Sequence, residues 1–214
     1  MLKVILSKTI AIAKQLVIAF FFTSFILFLI MICFGNKIDK TIMVINKLAT
    51  ISYFDEPVIK DIKLNKVKKR LVSHPNHKDR FGSVVISSVG IDLALYQGET
   101  LDVLKYGAGH HAGSYFPGEG GTIIIAAHNN YGMFYNLPKV KVSDNVTIKT
   151  VYGTYYYEVT KTEVVNAKKL GDNLTIRTDE ETIMLYTCYP VNVPGFKSNR
   201  FAVYGRLVGE EDDE

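Results

Sequence analysis

The sequence predicts an all-β domain, a sandwich or barrel, carried behind one N-terminal transmembrane helix. Three observations carry that expectation. Residues 16–34, LVIAFFFTSFILFLIMICF, run for 19 positions without a charge. From residue 83 onward, short β-branched runs alternate with breaks rich in Gly, Asn and Asp. Between those runs no amphipathic helical segments recur, which argues against βαβ units and a parallel sheet.

Fourteen of the 19 residues in the apolar run are Leu, Ile, Phe or Val, together favouring insertion by about 4–8 kcal/mol. The run is also long enough to cross a bilayer. The GNKIDK that follows offers no small-x-small cleavage site, so an uncleaved anchor over 15–36 is expected rather than a signal peptide. Lys3, Lys8 and Lys14 precede it with no acidic residue among them. That bias predicts a cytoplasmic N-terminus at 1–14 and an outward-facing remainder.

Residues 37–75 read as a basic stalk. Ile38, Ile42, Ile45 and Leu48 recur at helical spacing among lysines, with a break at Pro57. Residues 37–80 hold 11 Lys+Arg against 5 Asp+Glu, and the cluster Lys66, Lys68, Lys69, Arg70 reads as a solvated face. The turn formers of SHPNHKDRFG, 73–82, mark the boundary of a domain expected over 76–209. Residues 81–209 carry 11 charges of each sign. The net +4 of the chain therefore does not describe the domain and gives no argument for nucleic-acid binding. An acidic tail, EEDDE, closes the chain at 210–214.

Within the domain, SVVISSV, TIIIAAH, VTIKTV, TYYYEVT, TIMLYTC and FAVYGRLV each read as a strand. GEGG and SDN mark turns, YGTY suits a hairpin, and NLPKV offers a short helical or turn segment. A domain of about 130 residues is large enough to bury one core.

The chain has two cysteines, Cys33 in the apolar run and Cys188 in the domain. Their separation excludes a disulfide framework, and a lone thiol facing outward is either buried or reactive. Cys188 ends a strand, where its sulfur can reach a cleft rim, and a useful thiolate needs a base or positive charge nearby. His128 stands at the exit of the hydrophobic run TIIIAA, poised towards a groove. Arg200 opens the last run. If the strands ending at Cys188 and starting near Arg200 are neighbours, thiol and guanidinium approach each other. Arg206 lies about 20 Å further along the same strand, so only one of the two arginines serves a single site. Each residue alone also has a plain structural reading: a packing thiol, a loop histidine, a rim charge. Together they suit acyl transfer by a Cys–His pair with an oxyanion partner. The adjacent His110 and His111 point opposite ways on an extended chain and lack acidic or cysteine partners at metal spacing, so no zinc centre is expected. His74 and His77 read as solvent-exposed.

Three motifs, in this order, resemble the sortases, membrane-anchored cysteine transpeptidases of Gram-positive bacteria. YGAGHHAGSYFPGEGGTIIIAAHNN is similar to G-x-G-H…G-E-G-G…A-G-H, with Ala127 where glycine is usual and His128 as the terminal histidine. Met184-Leu185-Tyr186-Thr187-Cys188 is similar to T-L-x-T-C, with Met in place of the first Thr. NRFAVYGRLV resembles the arginine-bearing last strand, and TCYP with its short spacing to Arg200 looks most like class D. The resemblance covers about residues 83–208. It implies an eight-stranded β-barrel with short helical turns and the active site at one end. It further implies Cys188 as nucleophile, His128 as general acid/base, and Arg200 in oxyanion stabilisation and substrate positioning. Thr187 and Asn129 are candidates for substrate contact, and His110 is structural.

The substrate so implied is an LPxTG-like sorting signal on a surface protein, cleaved between Thr and Gly through a thioacyl intermediate. The acceptor is an amine of a cell-wall precursor or a pilin lysine. No cofactor is expected: no calcium site is indicated, although Glu158 and Glu163 are carboxylates that one could recruit. Two alternatives compete. A cysteine hydrolase of peptide or peptidoglycan would want an Asp, Glu or Asn to orient the histidine, and none is assignable. A non-catalytic surface β-domain could use TYYYEV as its face, but the chain has no tryptophan to offer.

Overall fold

The computed structural model describes residues 12–30, 64, 66–67, 70–172, 176–191 and 197–211, and the chain divides into the units Met1–Phe54 and Asp55–Glu214. The first unit holds helix α1, Ile12–Ile30, with a mean hydropathy of 2.1. Its 19 residues span roughly 28 Å, about the thickness of a bilayer's hydrocarbon. Phe20, Phe21, Phe22, Phe25 and Phe28 are all exposed, so the helix is apolar all round. Thr23 folds its hydroxyl back onto the carbonyls of Ala19 and Phe20, 3.0 Å from each, leaving that group satisfied inside the helix. Residues 31–36 of the expected anchor, with Cys33, lie outside the described residues, as do Lys3, Lys8 and most of the stalk.

The second unit is built from strands. A small hairpin of β1, Lys66–Val67, and β2, Arg70–Leu71, leads into β3, Arg80–Ile86, and β4, Ile91–Gln97. Helix α2, Leu101–Leu104, precedes β5, Ala108–His110, and β6, Thr122–Ala126. Then come β7, Asn145–Thr150, β8, Gly153–Asn166, helix α3, Ala167–Asp172, β9, Thr182–Tyr189, and β10, Asn199–Glu211. Eight strands close into a barrel in the order β10-β8-β7-β3-β4-β5-β6-β9. Closure removes sheet edges, the usual liability of an antiparallel sheet. The expected all-β barrel with short helical turns is the observed architecture.

Alternation decides what fills it. Tyr155, Tyr157 and Val159 of β8 point inward together with Ile123 and Ile125 of β6 and Ile183 and Leu185 of β9. The intervening Ile124 and Met184 pack outside the barrel with Ala202 and Leu170. Both faces of β6 are thus covered, which explains an unbroken apolar run where alternation would leave one face polar.

Two strands escape the sequence reading, β4 and β5. The second is three residues of Ala, Gly and His, without a β-branched side chain. The run expected over 83–89 stops at Ile86, where Ser87–Val89 turn as a 3-10 helix into left-handed Gly90 at φ 66°. Residues 134–139, which include most of NLPKV, form another 3-10 turn, and the YGTY hairpin pairs Thr150 with Gly153.

The expected stalk–barrel boundary at 75/76 falls inside the packing. Leu64 and Leu71 are each 6% exposed and join the barrel's apolar cluster. Glu119 of the GEGG loop fastens the same segment. Its carboxylate accepts the Leu71 N–H at 3.1 Å and the Phe116 N–H at 3.2 Å, and lies 3.3 Å from His74 Nε2. His74 is solvent-exposed, as expected, and one side of its ring lies 4.9 Å from that of Phe116, tilted by 44°. Through Leu64 and Leu71 this segment packs as part of the domain.

Candidate active site

The site is set by three neighbouring strands. β6 and β9 run parallel, in register from Thr122 with Thr182 to Ala126 with Tyr186. The N–H of Ala127 still reaches the Tyr186 carbonyl at 3.3 Å, so the chain arrives at His128 abreast of Cys188. On the other side of β9, β10 runs antiparallel, and Arg200 is the direct register partner of Cys188. Directly opposed residues hold their β-carbons about 5 Å apart on one face of the sheet. The outer face of the barrel thus carries a row of His128, two residues beyond β6, Cys188 on β9 and Arg200 on β10.

The backbone around this row is fastened from several directions. Thr187, 1% exposed, donates its hydroxyl to the Ala127 carbonyl at 2.8 Å. The side chain points into the barrel and holds the peptide before His128. Phe134 donates its N–H to the His128 carbonyl at 2.9 Å. Asn129 spans the two loops beyond the strands, its Nδ2 donating to the Pro190 carbonyl at 3.4 Å. Arg200 donates through Nη1 to the carbonyls of Lys197 and Asn199, at 2.9 and 3.0 Å. One edge of the guanidinium is thereby tethered, and the remaining N–H donors stay available to a ligand.

Cys188 is a free, half-buried thiol. Burial holds the His128 imidazole below its ordinary pKa, because desolvation disfavours the charged ring. Among the described residues none hydrogen-bonds that ring. Arg206, the other arginine of β10, pairs its Nη2 with Glu158 Oε2 at 2.9 Å. Glu163 likewise pairs with Lys161 at 2.8 Å. Among the described residues no group of three or more His, Cys, Asp or Glu could hold a metal ion. His110 is buried against Phe116, its ring nitrogens 2.9 Å from Gln97 Oε1, 2.8 Å from the Tyr115 carbonyl and 3.0 Å from Ser114 Oγ. This is the structural role expected of it.

A family model described as the sortase domain matches residues 84–208, which include the whole row of His128, Cys188 and Arg200. The chain belongs to the sortase family. Sortases are cysteine transpeptidases acting on proteins that carry a sorting signal, and this sortase is an enzyme of that type. It is 28% identical to Sortase D of Bacillus subtilis (strain 168) over 144 residues, 67% of this chain and 72% of the relative. Among solved structures, a sortase D5 transpeptidase of Clostridium perfringens superposes with a TM-score of 0.57 at 29% identity, covering 64% of this chain and 83% of that one. Sortase C1 of Streptococcus agalactiae gives 0.55 at 32% identity, covering 61% and 68%. Class D members stand in both comparisons, in keeping with the expected subclass.

One neighbouring network went unread in the sequence. Two residues back from Cys188 on the same face, Tyr186 donates its phenol to Glu99 Oε2 at 2.9 Å. Glu99 Oε1 lies 2.6 Å from His111 Nδ1. Burial alone would raise the Glu99 pKa, but the hydrogen bonds from His111 and Tyr186 outweigh it and bring it below the ordinary value. The His111 pKa is raised, chiefly by its hydrogen bond to Glu99. A Glu lying 87 residues from its tyrosine partner leaves no local pattern to find. Further along the outer face, Met184, Tyr204, Thr182 and Leu170 line a pocket of about 480 Å³ beside α3.

Proposed function

We propose that Cys188 is the nucleophile, His128 the general acid and base, and Arg200 the oxyanion partner of a transpeptidation on an LPxTG-like sorting signal. The observation that carries this reading is the register. It sets a free thiol between a histidine on the parallel neighbour and an arginine directly opposite on the antiparallel one.

The thiolate attacks the carbonyl between Thr and Gly. Negative charge develops on the carbonyl oxygen, and the guanidinium, charged at all relevant pH, stabilises it. His128 protonates the leaving amine, the C–N bond breaks, and a thioacyl enzyme remains. An incoming amine then attacks the thioester, gives its proton to His128 and expels the Cys188 thiolate. The acceptor is an amine of a cell-wall precursor or a pilin lysine. Asn129, at the rim beside His128, contacts the signal. Helix α1 anchors the chain in the cell membrane, and Lys3, Lys8 and Lys14 keep the N-terminus cytoplasmic and the barrel outside.

The test uses the full chain in detergent micelles with a fluorogenic LPxTG-type peptide and an amine acceptor, products being followed by mass spectrometry. Cleavage after threonine, a thioacyl adduct on Cys188 and an amine-linked product are expected, with all three lost in Cys188→Ala. Hydrolysis without amine product under any acceptor would replace the transpeptidase with a cysteine hydrolase. Turnover that survives in Cys188→Ala would remove the assigned nucleophile.

A further inference from the structure

The two flanks of Cys188 differ in charge. On the β10 side stands Arg200, a fixed cation. On the β6 side stands His128, and beyond it β5 carries Gly109 in register with Ala126. A Cβ at Gly109 would collide with the Gly98 carbonyl oxygen and sit 3.1 Å from the Glu99 Cα. Glycine there is what allows residues 98–99 to lie directly over the sheet. Tyr186, in register with Ala126 on β6, meets the Glu99 carboxylate from β9. Glu99 is thereby held on the His128 flank, about one strand spacing and two residues from the catalytic row, roughly 8 Å.

Glu99 remains accessible. Its side chain is 29% exposed and that of His111 is 32% exposed. A carboxylate offers about four lone-pair sites, and His111 and Tyr186 occupy only two of them. Among the described residues, the nearby alternatives are engaged or misplaced. Asp102 pairs with Lys78, and Glu163 lies across β10 on the Arg200 flank and pairs with Lys161.

An aliphatic amine is an ammonium ion near neutral pH. It must reach the thioester from the side where a base can take its proton, and Arg200 repels it from the other side. We propose that Glu99 is the carboxylate that docks the acceptor amine, as its ammonium ion, on the His128 flank of the thioacyl group. Tyr186 and His111 are the positioning residues that hold this carboxylate in place. On leaving Glu99 the ammonium releases one proton to water and reaches the row above as the neutral amine. Its nitrogen bonds to the acyl carbon, one of its remaining protons passes to His128, and the C–S bond breaks with Cys188 leaving as the thiolate. The inference rests on the roles proposed for Cys188 and His128.

The test compares two nucleophiles on the full chain: a primary aliphatic amine, cationic near neutral pH, and hydroxylamine, which is neutral there. In Glu99→Gln, whose amide oxygen still accepts from Tyr186, the KM for the cationic amine is expected to rise about tenfold. The KM for hydroxylamine and the rate of thioacyl formation should stay within about twofold of the parent. Glu99→Asp should recover part of the loss. An unchanged KM for the cationic amine would overturn the proposal. So would equal losses with both nucleophiles, since they would make Glu99 a structural residue only. A parent enzyme that forms the thioacyl adduct yet yields no amine product would overturn the transpeptidase reading itself, and this inference with it.

Discussion

Burial lowers the pKa of His110, on β5, and of His128, just beyond the neighbouring β6, yet the two face different tests. For His128 the low pKa sets the acid limb of the reaction. Adding a proton to His128 removes the base of the pair, so no attacking thiolate forms. The rate of thioacyl formation should therefore fall only below about pH 6.5, the ordinary histidine value. A stopped-flow profile with its acid limb above that value would contradict the burial argument. His110 sits inside the barrel, and burial pushes its pKa down to about 4. Between pH 6.5 and about 4 the unfolded chain holds a proton that the fold excludes, so stability falls as pH falls through this window. The loss is on the order of 2–3 kcal/mol, measurable as urea midpoints of the Asp55–Glu214 unit across that range. His110→Gln should flatten the slope, and an unchanged slope would assign it to other groups.

Strands and loops are joined by buried carboxylates. Glu181, 9% exposed, precedes β9 and accepts the N–H of Gly118 at 3.0 Å, the N–H of Gly120 at 2.9 Å and the Tyr157 phenol at 2.6 Å. This one side chain fastens the GEGG loop to the strand that ends in the nucleophile. Glu181→Ala would leave two N–H groups and a phenol without a partner in the interior, at a cost of about 3 kcal/mol or more. Chemical denaturation should show that loss, with a smaller one for Glu181→Gln because its amide oxygen still accepts. Equal stability of Glu181→Ala and parent would mean that water replaces the carboxylate. The motif G-E-G-G was legible as a turn. That its own Glu119 fastens the segment before the barrel, while Glu181 holds its glycine N–H groups, was not.

For the whole molecule, the packing of Leu64 and Leu71 sets where an independent domain must begin. A chain starting at residue 76 discards both side chains and the Leu71 and His74 contacts to Glu119. Removing two buried leucines costs roughly 3–4 kcal/mol. A domain starting at Asp55 should therefore unfold at higher urea than one starting at residue 76. Matching midpoints would show that the segment adds nothing.

What the sequence determined by itself was everything encoded by neighbours along the chain. The uncharged run gave α1, the β-branched runs gave six of the eight barrel strands, and the turn formers gave the hairpin between β7 and β8. The Thr187-Cys188 and Arg200 motifs were readable because β9 and β10 are consecutive and pair antiparallel. The tertiary structure alone decided the rest. β5 has no pattern of its own and exists because β4 and β6 offer it hydrogen bonds on both sides. Thr187 braces the Ala127 peptide because the barrel closes over its face. Glu99 reaches the neighbourhood of Cys188 only because β5, β6 and β9 lie side by side, with a glycine where the chain must cross. Local propensity is additive along the sequence, whereas strand partners are chosen by burying one shared core. Such a choice leaves no local trace in either partner.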